Sequence, residues 1–141
     1  MKQLLTLVLA LAIGFAAKAD DKKKTDWPAI TEFHTVMSQT FHPSEEGNFG
    51  PIRQRSEEMM NKAAALSRGR VPQQYQTPEM RNAVARLQIG TKTINEMVQK
   101  NATDEQLKPA LSKLHDTFHE IVGLCRKGDG GSEAGHEGHN H

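Results

Sequence analysis

Between Trp27 and Arg126 the apolar side chains recur at spacings of three and four, the period of a helix that buries one face. Ile30, Phe33, His34, Met37 and Phe41 form the first such stripe. It predicts a helix over 27–42, with Thr25 or Asp26 as cap, Pro28 in the first turn, and Pro43 as its end. Ile52, Met59, Ala63 and Leu66 or Ser67, with Met60 beside them, set a second helix over 51–68. Pro51 takes its first position and Gly69 stops it. The third, 78–100, opens on Thr77, Pro78 and Glu79, carries Met80, Val84, Leu87, Thr91, Ile94 and Val98, and closes at Asn101. The fourth, 104–126, starts on a capping box of Thr103 and Gln106 and bears Leu111, Leu114, Phe118, Ile121, Val122 and Cys125. Pro109 falls too far inside it to be harmless and predicts a kink or a loosened first turn. No alternating β-branched run and no internal repeat interrupts this pattern. Four helices with short links predict an all-α fold, an antiparallel up-down-up-down four-helix bundle over 27–126.

The segments outside the stripes differ in kind. Lys2, the apolar run Leu4 to Ala17 and the small-x-small stretch Ala17-Lys18-Ala19 have the form of a cleaved secretory signal over 1–19. That run is well short of the ~20 residues a membrane span needs, so no stable insertion is expected after cleavage. A charged linker, 20–26, follows. Residues 127–141 lack an apolar period and combine Gly, acids and His136, His139 and His141, as expected of a disordered, weakly metal-binding tail. A periplasmic location fits this arrangement.

Composition narrows the function. Loss of Lys2 and Lys18 with the signal turns the formal charge of +1 into about −1, which argues against a dedicated nucleic-acid binder. The single cysteine, Cys125, cannot form an internal disulfide. It is open to three roles: metal ligand, link to a second chain in a homodimer, or buried apolar residue. Association through helix faces is the other route to a dimer. No Ser/His/Asp pattern, phosphate loop or suitably placed carboxylate pair suggests an enzyme.

The chemistry concentrates in Leu114-His115-Asp116-Thr117-Phe118-His119-Glu120. Two imidazoles four residues apart on a helix lie one above the other and can share an ion. In an up-down bundle His34 and Met37 come level with His119 and His115, so His34, Met37, His115 and His119 make one candidate metal set. Imidazole suits zinc, copper, nickel and iron, while thioether favours copper(I) or haem iron. The same residues also fit plain structural roles, the histidines at a polar edge and the methionines as core filler.

From about Thr77 to Glu120 the chain resembles the small exported four-helix-bundle cytochromes, of the soluble b-type and cytochrome c-prime kinds. Thr77-Pro78-Glu79-Met80 and the pair Phe118-His119 carry the resemblance. It implies haem b held by Met37 and His119, and an electron-transfer role. The chain has no Cys-x-x-Cys-His, so covalent haem attachment is excluded. His34 and His115 are additions that such a haem site does not require. The leading expectation is therefore a periplasmic protein that buffers, delivers or senses copper or zinc between helices one and four. A b-type haem carrier and a cofactor-free helical interaction module are the alternatives.

Overall fold

The computed structural model describes residues 27–130, which form four α-helices: α1 (Pro28–Glu45), α2 (Gly50–Arg68), α3 (Pro78–Gln99) and α4 (Asp104–Gly128). A short 3-10 turn, Gln73–Tyr75, interrupts the link between α2 and α3. No strand occurs among the described residues. The signal, the linker and residues 131–141 of the tail lie outside them.

Caps account for most of the helix limits. Thr77 accepts a hydrogen bond from the Met80 amide, and Thr103 and Gln106 form the reciprocal capping box at the start of α4. The end of α3 is a Schellman turn: Asn101, at φ 56°, bonds to the Val98 carbonyl while Ala102 bonds to that of Met97. Gly47, at φ 85°, does the same after α1, with Gly47 and Asn48 donating to Ser44 and Pro43. That turn explains why α1 runs on through Pro43 to Glu45 instead of stopping there. Proline forfeits its own amide bond and crowds the carbonyl one turn back, while its own carbonyl is needed to accept from Asn48.

Two other expectations are corrected. Helix α4 passes through Pro109 as one helix and extends to Gly128, taking in the first two residues assigned to the tail. The departure from helical geometry is instead at Arg55 in α2 (φ −121°, ψ 15°). The Arg55 guanidinium donates to both Glu58 oxygens, at 2.7 and 3.0 Å, and to Gln39 on α1 at 2.6 Å.

The apolar stripes meet in one core that includes Phe33, Met37, Ile52, Met59, Leu87, Ile94, Leu107 and Ile121. His34, expected within the α1 stripe, is exposed, and Val36 and Thr40 occupy the buried face with Phe33 and Met37. The interhelical bonds set the register. Glu32 pairs with Lys62 and Gln39 with Arg55; Ser56 bonds to Asn95, and the Ala63 carbonyl accepts from Gln88; Arg86 pairs with Glu120. α1 packs extensively on α2 and more sparingly on α4.

Candidate metal centre

The α1–α4 seam is lined by rings. Its α4 side presents His115, Phe118 and His119, which the helical period puts on adjoining turns of one face. Its α1 side presents His34, Phe41 and His42. Phe118 is buried and packs against Phe33 with ring centres 5.3 Å apart. His34 lies over Phe118 (5.4 Å, 17° between planes), and His115 stacks on Phe41 at 3.9 Å and 12°. Stacking of this kind fixes a ring's orientation through dispersion and the ring quadrupole.

Held in this way, His115 turns its Nε2 toward that of His119, 3.1 Å away. The His119 ring stands edge-on to it, with centres 4.4 Å apart. Two arrangements satisfy this distance. One neutral ring can donate its N–H to the other, or both nitrogens can bind one ion. With metal–nitrogen bonds of about 2.0–2.1 Å, a shared ion needs nitrogens about 2.9–3.4 Å apart. The pair meets this distance requirement.

The electrostatics also favour neutral imidazole. The His115 pKa lies below its ordinary 6.5, first because burial disfavours the charged ring and second because His119 is beside it. Asp116 and Glu45 oppose the shift, and His42 adds to it. The influence of His42 and Glu45 was not anticipated. In sequence His42 is too far from His34 to share its ion, and it suggests either a looser site with Glu45 and Glu46 at the bundle end or a helix-end contact. That contact exists, His42 Nδ1 to Glu45 Oε2 at 3.3 Å, but the same pair also acts on His115 across the seam. Phe41, two turns after His34 and next to His42, was the available signal.

The four predicted ligands thus fall into two groups. His115 and His119 meet. His34 stands apart on Phe118, and Met37 is 1 % exposed inside the core. Of the other methionines, Met59 is fully buried and the Met60 sulfur faces Asn95 of α3, at 3.9 Å. Among the described residues no cluster of three or more His, Cys, Asp or Glu side chains is close enough to surround an ion. No helix among them is long and apolar enough to cross a membrane. Comparison with protein-family models, curated proteins and solved structures finds no match to this chain.

Proposed function

We propose that this is an exported metal-binding protein that takes one copper or zinc ion on the His115–His119 pair, for buffering or delivery and not for turnover. The 3.1 Å separation of the two Nε2 atoms carries this reading. Its support is threefold: the spacing suits a chelate, the Phe41 stack orients one ring in advance, and the lowered His115 pKa keeps a lone pair free near neutral pH. Water or other ligands complete the coordination, and Met37 keeps its place in the core.

We further propose that the helices are arranged up-down-up-down. Along the α1–α2 and α2–α3 pairings, residue numbers rise on one partner as they fall on the next: Glu32–Lys62 then Gln39–Arg55, and Ser56–Asn95 then Ala63–Gln88. His34 over Phe118 and Phe41 over His115 follow the same rule for α1 and α4.

Calorimetric titration with zinc(II) and copper(II) tests the site on protein ending at Gly130, which lacks the tail histidines. Binding should weaken as the pH falls through about 6.5, because the ion displaces protons. His115→Ala and His119→Ala should each cost about tenfold or more in affinity, the usual order for losing a site's ligand or its support. His34→Ala should cost less. Undiminished binding by the double variant His115→Ala/His119→Ala would refute the assignment. A Soret band on adding haem that survives His115→Ala would instead favour the Met37/His119 alternative.

A further inference from the structure

A second site is independent of the histidine seam and shares no residue with it. Where the ends of α2 and α3 meet the link between them, the molecule holds a cavity of about 560 Å³. This is within the range of about 300–1,000 Å³ usual for small-molecule pockets. Trp27, Leu66, Val71, Met80 and Val84 give it an apolar wall. Arg70 and Arg81, both exposed, also line it, and among the described residues no acidic one does. Among the described residues neither guanidinium has a carboxylate within ion-pair distance. The one contact Arg81 makes is a long 3.4 Å bond to the Gln76 carbonyl. Side-chain amides of the lining are engaged internally: Gln76 donates to the Val71 carbonyl and Gln88 to Ala63 and Ser67.

Trp27, part of the same wall, is buried. Its Nε1 is buried with no hydrogen-bond acceptor among the described residues. A sealed, unpaired donor carries a desolvation penalty, and buried indole N–H groups usually have partners. Trp27 stacks on Tyr75, with centres 5.8 Å apart, and forms part of the cavity wall. The site therefore sets apolar volume beside two guanidinium groups that have no partner carboxylate among the described residues.

We propose that this cavity binds a small amphiphilic carboxylate, an apolar chain or ring bearing one acidic group. The apolar part rests against Leu66, Met80 and Val84, and the carboxylate is taken by Arg70 and Arg81. Guanidinium suits this task because its planar fork matches a carboxylate's two oxygens. A neutral lipophile would leave the two cations of the lining uncompensated. A fully polar anion would leave the apolar wall wet.

The full chain contains a single tryptophan, so Trp27 emission reports on the cavity directly. Decanoate, added below its micelle concentration, should change that emission saturably, with one molecule bound per chain by parallel calorimetry. The double variant Arg70→Ala/Arg81→Ala, altered only at exposed positions, should need about tenfold or more decanoate, as expected for loss of charge-assisted bonds. Decanol should bind more weakly than decanoate and respond little to the substitution. Ala85→Phe, placed at the cavity lining, should weaken both ligands. No saturable response to decanoate would overturn the proposal. So would decanol binding as tightly as decanoate, or a double variant that binds decanoate as tightly as the parent.

Discussion

Cys125 and Tyr75 show what burial does to single residues at the far end of α4. Cys125 is 3 % exposed, and burial, followed by the charge on Asp129, pushes its thiol up to about 11. Tyr75 is raised to about 12, first by burial and then by its 2.5 Å hydrogen bond to Asp129. Both groups keep their protons more firmly folded than unfolded, where their ordinary values are 9.0 and 10.0. The stability they contribute is therefore complete below pH 9 and is lost as the pH rises through 11 and 12. Urea midpoints should fall steadily over that interval, and Tyr75→Phe should flatten its upper part; a midpoint constant to pH 12 would contradict the burial of both groups. At this scale the sequence was ambiguous. One cysteine suits a ligand, a link or a core residue equally well, and only the packing around it separates them. Tyr75 went unnoticed because it stands in a polar, non-periodic link, although a lone aromatic there was a usable signal.

Among the elements, the link between α2 and α3 depends on the end of α4. A Cβ on Gly128 would come within 2.8 Å of the Tyr75 ring and 2.9 Å of the Gln74 carbonyl, which is backbone and cannot turn aside. A Cβ on Gly90 would meet only the Leu114 Cδ1, also at 2.8 Å, the tip of a side chain with other rotamers. Gly128→Ala should therefore cost about 1–3 kcal/mol, the usual penalty of overpacking. Gly90→Ala should change stability by less than about 1 kcal/mol, since the gain in helix propensity offsets the displaced leucine. Urea denaturation compares them, and equal midpoints for the two variants would show that the link does not bear on α4. The caps at Thr77 and Thr103 and the stripes of α2, α3 and α4 were legible because each is a local pattern. Pro43, Pro109 and Arg55 were not. Whether a proline ends a helix depends on the turn that follows, and the Arg55 break accompanies contacts with Gln39 on another helix.

For the whole molecule, acid acts on the α1–α4 seam. His115 faces His119 and Asp116 on its own helix and feels His42 and Glu45 from α1. Because its folded pKa is below 6.5, the unfolded chain binds protons first. Stability should fall as the pH drops from about 6.5 through that lower folded value. Amide exchange should quicken in α1 before α3, and His115→Gln should remove most of this acid response. Uniform quickening in all four helices would show that the seam is not where the loss begins. The sequence placed His34 opposite this part of α4 to within about a turn, because link lengths constrain register. It could not show that His34 would lie on Phe118, since a single helical step separates an inward position from an outward one. The seam also has a kinetic consequence. The contacts of α1 with α4, Phe33–Phe118, His34–Phe118 and Phe41–His115, close longer loops than the contacts between consecutive helices, and loop closure costs more entropy as the loop lengthens. The order of assembly follows: consecutive helices, α1 and α2 among them, can pair early, and the α1–α4 seam closes last.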